Sequence, residues 1–329
     1  MTPTPTKILS TRDILTLVTM DEAIDVIAKA FEDLSRGRYV MPLRTVNDIG
    51  PGEIASFYKP CWLPSGQSLS VKLLSQLKKS HPKHIPTIRG LIILTDTETN
   101  SIKAIMEGAI LTAIRTGAAS GVATRHLSRE DSSVLAVFGA GTQGYTQFEA
   151  VCSVRDITEA YIYDRNRKTA ERFAEHFRGK FTCNISVADD LSFLHHADII
   201  CTATPSDKPL FTTESLKAGV HINAVGSYNP QMQELPGDLF SKAFLDVDHE
   251  ESCFSESGDL INPLKQGKLN MDNYRGEIGS LVAAETIGRT TSEEITLFKT
   301  VGTAVQDHAI AEFVYSRAIE LYCGNDFQF

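Results

Sequence analysis

The chain has 329 residues, of which 42% are hydrophobic and 22% charged, and a formal net charge of −9 at pH 7. That length exceeds what one hydrophobic core usually serves, so two domains are expected. The negative balance leaves no basic patch for a run of phosphates, which argues against nucleic acid or an anionic membrane as partner, and no apolar run reaches a transmembrane length.

Met1 to Lys7 is rich in Thr and Pro and lacks the apolar core and basic flank of a secretory signal. Thr19-Met-Asp-Glu22 has the form of a capping box, and Ile24, Ile27, Phe31 and Leu34 then recur at helical spacing until Gly37. From Arg38 to Asp96 the runs shorten. Ile54 to Tyr58, Leu69 to Leu74 and Leu91 to Leu94 read as strands, and Ala109 to Leu127 returns to helical composition. Beyond Arg129, short apolar strands are expected at 134–138, 160–163, 199–201, 220–225 and 243–247, most of them separated by helix-like segments such as Lys168 to Phe177. Such alternation indicates a parallel sheet with helices on both faces. Ala304 to Tyr322 is a final amphipathic helix, expected to fold back onto the first domain.

Gly139-Ala-Gly141-Thr142-Gln143-Gly144 follows directly on Val134–Phe138 and opens a helical segment. Strand, glycines and helix in that order form a dinucleotide fingerprint. Gly139 permits the tight turn, Gly141 lets a pyrophosphate approach, and Gly144 lets the helix pack close to the strand. The next strand ends at Asp164, where a carboxylate would accept from the ribose hydroxyls, favouring NAD(H). Arg165, Arg167 and Lys168 keep NADP(H) open. Thr202 and Thr204 close a further strand at its carboxyl end and are expected to border the cofactor.

Three cations stand in apolar or small-residue surroundings: Arg44, Lys72 and Arg115. Lys72 lies mid-strand between Val71 and Leu73, where a buried charge without a partner is costly. A bound carboxylate would supply the partner. Other polar groups carry less. The scattered cysteines, none in a C-x-x-C pair, read as idle thiols in a reducing cytosol. His81 and His84 flank Pro82 without an acidic or cysteine neighbour and read as a loop, so no metal is expected. His221 reads as a satisfied core histidine, and the stretch Asp246, Asp248, His249, Glu250, Glu251 as a solvated turn at a strand end or a border of the nicotinamide. Asp307 either caps the last helix or faces the substrate.

Met41-Pro-Leu-Arg44, Val71-Lys72, Leu111-Thr-Ala-Ile-Arg-Thr-Gly-Ala-Ala119, Gly139-Ala-Gly-Thr-Gln143, Asn223-Ala-Val-Gly226 and Ile295-Thr-Leu-Phe-Lys-Thr-Val-Gly302 together resemble the ornithine cyclodeaminase/mu-crystallin family, in order along the chain. The resemblance implies an α/β chain in two parts. Residues 126–303 would form a Rossmann NAD(P)-binding domain, and 1–125 with 304–329 an α+β domain that binds substrate and forms a homodimer. It implies that Arg44, Lys72 and Arg115, with Thr87 nearby, bind a substrate carboxylate, and that Val225, Gly226 and Val301 join Thr142, Gln143 and Arg165 around the cofactor. Cyclodeaminases of the family carry an aspartate where this chain has Tyr228. A phenol, with an ordinary pKa of about 10, is neutral near pH 7 and cannot replace that carboxylate.

The expected activity is therefore NAD(P)H-dependent reduction of a small imino acid such as 1-pyrroline-2-carboxylate to the L-amino acid. Arg44 and Arg115 would hold the carboxylate, and Lys72 would either protonate the imine or bind the carboxylate too. Two other readings stand beside it: cyclodeamination or alanine-dehydrogenase-like deamination on the same scaffold, and a non-catalytic binding protein.

Overall fold

The computed structural model describes residues 5–50, 53–64, 66–77 and 87–329. His81 and His84 lie outside them. Contacts divide the chain into two compact units, one made of Met1–Arg115 with Thr303–Phe329 and the other of Thr116–Gly302. The division falls inside a helix, at 115/116 rather than at the expected 125/126.

The first unit opens with β1 (Thr6–Leu9), α1 (Thr11–Leu17) and α2 (Met20–Ser35). Both helices start at capping boxes, Ser10 with Asp13 and Thr19 with Glu22, so each begins where its side chains satisfy the first free N–H groups. Four antiparallel-paired strands follow, β2 (Thr45–Ile49), β3 (Ile54–Trp62), β4 (Ser68–Leu77) and β5 (Ile88–Asp96), and β6 (Ile102–Glu107) completes the run. Helix α3 (Gly108–Leu127) then carries the chain into the second unit.

There β7 (Val134–Phe138), α4 (Thr142–Val154), β8 (Glu159–Tyr163) and α5 (Arg167–Phe177) alternate as expected, and β9 (Asn184–Val187), a strand absent from the sequence-based expectation, follows. After β10 (Ile199–Thr202) the pattern departs from expectation. The links to β11 (His221–Ala224) and β12 (Phe244–Val247) contain 3-10 turns in place of α-helices. Helices α6 (Glu250–Glu256) and α7 (Gly258–Lys265), strand β13 (Tyr274–Glu277), helix α8 (Ile278–Val282) and strand β14 (Thr296–Lys299) follow. The strands pair in parallel in the order β13-β12-β14-β11-β10-β7-β8-β9. Aromatic and aliphatic residues fill two core clusters, one around Phe148, Phe173 and Phe177 and one around Phe138, Phe211 and Phe240. His221 is buried in this unit with its ring nitrogens 3.0 Å from Thr296 Oγ1 and 3.2 Å from Asn223 Oδ1. Burial, with help from Arg289, pushes it down to about 3, so it is neutral and structural.

Finally α9 (Ala304–Glu320), begun by a capping box of Thr303 and Gln306, and β15 (Asn325–Phe327) return to the first unit, where β15 pairs with β1. The sheet there runs β15-β1-β6-β5-β4-β3-β2. Helix α9 packs on β3, β4, β5 and β6. The alternation in β4 has an unusual sense: Ser68, Ser70 and Lys72 point to the buried side, whereas Leu69 and Leu73 point out and stay exposed. The polar side of the strand lies inside. Among the described residues no helix is long and apolar enough to cross a membrane.

Candidate active site

Strand β4 points Lys72 inward and α9 brings Asp307 over it, at 2.7 Å. Arg115, near the middle of α3, reaches the other carboxylate oxygen at 2.9 Å through Nε and Gln306 Oε1 at 2.9 Å through Nη1. These groups are nearly dry: Lys72 is 3% exposed, Arg115 5% and Asp307 2%. Thr112 Oγ1 lies 3.2 Å from Lys72 Nζ. Arg44 stands over the Phe57 ring, 5.5 Å from its centroid, and β3 turns Lys59, two residues on, to the buried side. Bases thus outnumber acids in the cluster.

The ionisation follows from that imbalance. Burial, reinforced by Arg115 and Arg44 and opposed by Asp307, brings Lys72 down to about 8. Lys59 is pushed well below the ordinary lysine value by burial and by Lys72. Burial alone raises Asp307, yet Lys72, Arg115 and Lys59 outweigh it and hold the carboxyl below its usual range. Asp307 stays an anion at neutral pH.

In the second unit the strand order reverses between β10 and β7, the switch point where doubly wound sheets take ligands. Gly139 adopts φ +96°, closed to other residues without strain, and a Cβ on Gly144 would lie 2.0 Å from Gly139 O. At Gly141 a Cβ would meet nothing within 4 Å. Gly141 also caps α4 without a side-chain hydrogen bond, and Gln143 Oε1 is buried without a partner. An open cradle at a helix N-terminus fits a dinucleotide pyrophosphate. Asp164 accepts from Ala140 N at 2.9 Å and from Asn166 N at 2.8 Å, tying the end of β8 to this loop.

The opposite rim is built on a carboxylate that the sequence reading passed over. Glu234, fully buried, accepts from Thr202 Oγ1 at 2.8 Å and from Thr204 N, Thr204 Oγ1 and Gly226 N at 2.7 Å each. Asp259 in turn accepts from Glu234 N and Leu235 N and stands 3.5 Å from Lys299 Nζ, which also donates to Ala224 O. The glycine at 226 is compulsory, because a Cβ would lie 2.3 Å from Thr204 O and 2.4 Å from Glu234 Oε1.

Several expectations change. Lys72 and Arg115 already have a protein partner in Asp307, so the premise of an unpaired Lys72 is corrected, and Asp307 faces the cations while Thr303 caps the helix. Thr202 is fully buried and acts on the rim through Glu234. Asp246, Asp248 and His249 are buried, which overturns the solvated turn: Asp248 receives Thr300 Oγ1 at 2.5 Å and Gly302 N at 2.8 Å, and His249 caps α6. Thr87 is exposed at the edge of β5, its carbonyl accepting from Leu77 N. Tyr228 is half-buried in the loop after β11, Arg165 is exposed, and Val225 and Val301 are buried at 8% each, while Thr142 opens α4. Lys59 and Lys299, both missed, carry the signal used for Lys72, a charge inside an apolar strand.

A parallel sheet with a glycine fingerprint at its switch point, in one chain with a buried cluster of bases around one carboxylate, defines a dinucleotide-dependent oxidoreductase of small acids. The chain belongs to the ornithine cyclodeaminase/mu-crystallin family, whose sequence profile matches residues 5–321. It is 36% identical over 324 residues to a Delta(1)-pyrroline-2-carboxylate reductase of Bacillus cereus, covering 98% of this chain and 99% of the relative. Among solved structures it resembles the Thermococcus litoralis Delta(1)-pyrroline-2-carboxylate reductase in complex with NADH and L-proline, with a TM-score of 0.93 and 36% identity over 97% of this chain and 99% of that one. An archaeal alanine dehydrogenase dimer with bound NAD gives a TM-score of 0.91 and 32% identity over 98% of this chain and 99% of that one.

Gly226→Ala tests the rim. Forcing a methyl group against Thr204 O and Glu234 should cost about 1–3 kcal/mol of local stability and weaken dinucleotide affinity about tenfold or more. Thermal unfolding and fluorescence titration check the two, and unchanged affinity would refute the assignment of this loop to the cofactor rim.

Proposed function

We propose that the protein reduces the C=N bond of a small imino acid, such as 1-pyrroline-2-carboxylate, to the L-amino acid with NADH. The observation that carries the reading is the buried cluster in which Lys72 and Arg115 converge on Asp307 with Arg44 on the same face of the sheet. Lys72 and Arg115 share the one carboxylate of Asp307, so a substrate carboxylate is held there by charge-assisted hydrogen bonds. The 36% identical reductases and the structure with NADH and L-proline support the same reading. Asp164 at the end of β8 favours NADH by accepting from a ribose diol and repelling a 2′-phosphate. Arg167 is committed to Glu171 and Asp189.

The bound nicotinamide supplies the hydride. Arg44 and Arg115 orient the acid, and Lys72 Nζ gives a proton to the imine nitrogen, which makes the imine carbon electrophilic. A base held down to about 8 suits that task, being protonated at neutral pH yet ready to release. Asp307 then stabilises Lys72 in its charged form between turnovers. Tyr228 in place of a carboxylate weighs against ornithine cyclodeamination. A cytosolic setting accords with six free thiols.

We further propose a homodimer through the first unit's sheet. Trp62 and Leu69 pair across β3 and β4, and Leu73 and Leu91 across β4 and β5, all exposed at 37–44% on one face. A contiguous apolar face of this kind marks an interface.

Three outcomes check these readings. The purified protein should oxidise NADH with 1-pyrroline-2-carboxylate, and Arg115→Met should lower kcat/KM by about one and a half to four orders of magnitude while NADH still binds. Ammonia release from ornithine with catalytic NAD would instead establish a cyclodeaminase. In a pH profile kcat/KM should fall as pH rises through about 8, where Lys72 loses its proton, and Lys72→Arg should abolish that limb; a flat profile there removes Lys72 as donor. Light scattering should give a dimer for the wild type and a monomer for Leu73→Lys, and a wild-type monomer would sink the interface.

A further inference from the structure

Two of the six free cysteines, far apart in sequence, are neighbours in the second unit. Cys152 lies in the last turn of α4, and Cys183 stands immediately ahead of β9. Phe148, one helical turn before Cys152 and on the same face, meets the ring of Phe181, two residues before Cys183, edge to face at 5.3 Å. Asn184 N donates to Thr158 O at 2.8 Å, which fixes where β9 begins. Both cysteines pack on the core around Phe148, Phe173 and Phe177, and their thiols hydrogen-bond to each other. Each is half-buried, so the pair is not sealed from solvent. The remaining thiols are differently placed. Burial holds Cys61, Cys201 and Cys253 as neutral groups, and Cys323 donates to Asp13 Oδ1 at 3.7 Å.

The two thiols of the pair differ in how firmly they hold a proton. Cys152 and the backbone N–H of Cys183 bring Cys183 down to about 7 against its burial, whereas Cys183, burial, Cys201 and Glu149 push Cys152 up. At neutral pH Cys183 is therefore the nucleophile, and Cys152 keeps its proton. We propose that Cys183 and Cys152 form a peroxide-sensitive pair, in which Cys183 is oxidised first and Cys152 then closes a disulfide between α4 and the segment ahead of β9. The Cys183 thiolate attacks one oxygen of hydrogen peroxide. An S–O bond forms, the O–O bond breaks, and the hydroxide that leaves takes up the proton the thiol had released; the sulfur is oxidised by two electrons and the peroxide is reduced. The resulting sulfenic acid is neutral, so the anion that held the Cys152 proton is gone. The Cys152 sulfur then attacks Cys183, the S–S bond forms, the S–O bond breaks, and water leaves with the Cys152 proton. The ring so closed contains α5 and β8, with Asp164 at the end of that strand, and fastens the segment that Asp164 ties to the glycine loop. The pair lies wholly within the second unit and depends on no reading of the catalysed reaction.

The test treats folded wild type, Cys152→Ser and Cys183→Ser with a slight excess of hydrogen peroxide at neutral pH and reads intact mass, peptide maps and thermal unfolding. The wild type should lose the mass of two hydrogens, show a Cys152–Cys183 link that dithiothreitol reverses, and unfold at a temperature a few degrees higher than its reduced form. Cys152→Ser should stop at a Cys183 sulfenic acid that dimedone captures, and Cys183→Ser should give neither the link nor a captured sulfenic acid at Cys152. In the reduced wild type, iodoacetamide should modify Cys183 about tenfold faster than Cys152. Circular dichroism establishes that each variant is folded. A wild type that forms no Cys152–Cys183 link under peroxide overturns the inference. So does a Cys183→Ser variant in which Cys152 is captured by dimedone as readily as Cys183 is in Cys152→Ser, because the order of oxidation assigned to the pair is then wrong.

Discussion

The carboxylate of Asp307 is the group on which the first unit turns. It joins a strand, β4, to two helices, α3 and α9, that the chain reaches at widely separated positions, and it does so in a nearly dry interior. A buried carboxylate or ammonium left alone would cost several kcal/mol, so α9 cannot leave the sheet without stranding Lys72 and Arg115, and neither base can be lost without stranding Asp307. The final helix is thus an obligatory part of the unit that the N-terminal strands begin. The same ion cluster sets its chemistry. Lys72 and Arg115 share the single carboxylate of Asp307, and the proposed substrate carboxylate would enter as a second acceptor for the same two bases.

The second unit solves a related problem with the signs reversed. At its rim the groups in need of partners are backbone N–H donors in the loops after β10 and β11, and Glu234 collects them. Burial and the nearby Asp259 carboxylate raise Glu234 above its ordinary value, while Lys299 and the hydrogen bonds from Thr204 oppose that rise. A carboxylate with its acceptor sites filled by the protein has little to offer a ligand directly. Its effect is preorganisation: the loops carrying Thr204 and Gly226, proposed here to border the dinucleotide, are held in place by folding itself. Asp248 does the same for Thr300 and Gly302.

What could be read from the sequence was what is local. The strand, glycine loop and helix from Val134 to Val154 are adjacent in sequence, and each glycine has a reason that steric argument supplies in advance. Lys72 was legible because a charge in an apolar strand demands an explanation. Its partner was not, since Asp307 comes from the far end of the chain and its position in the first turn of a helix suits a cap equally well. Asp248 failed for the same reason, its partners lying on the loop after β14. Strand β2 was invisible on other grounds: every residue from Thr45 to Ile49 is exposed, so no alternation of burial marks it. Strand β15 has three residues, all of them exposed. The missing crossover helices after β10 leave no positive signal either, because 3-10 turns have no amphipathic period long enough to read.

The inverted alternation of β4 connects these observations. Placing Leu69 and Leu73 outward and Ser70 and Lys72 inward exposes an apolar surface and buries a polar one, the reverse of what folding of an isolated unit favours. Such a strand is stable only if something covers the outer face and something compensates the inner one. Helix α9 and Asp307 supply part of the inner compensation, and the proposed homodimer supplies the outer cover. A one-residue slip of β4 against its neighbours would bring Leu69 and Leu73 inside and turn Leu74 out, and it would also move Lys72 away from Asp307 and leave that carboxylate and Arg115 without it. The ion pair therefore does more than hold two charges: it selects the register that keeps the bases on the inner face, and the rigidity of a strand in a sheet then fixes them there more firmly than a loop would.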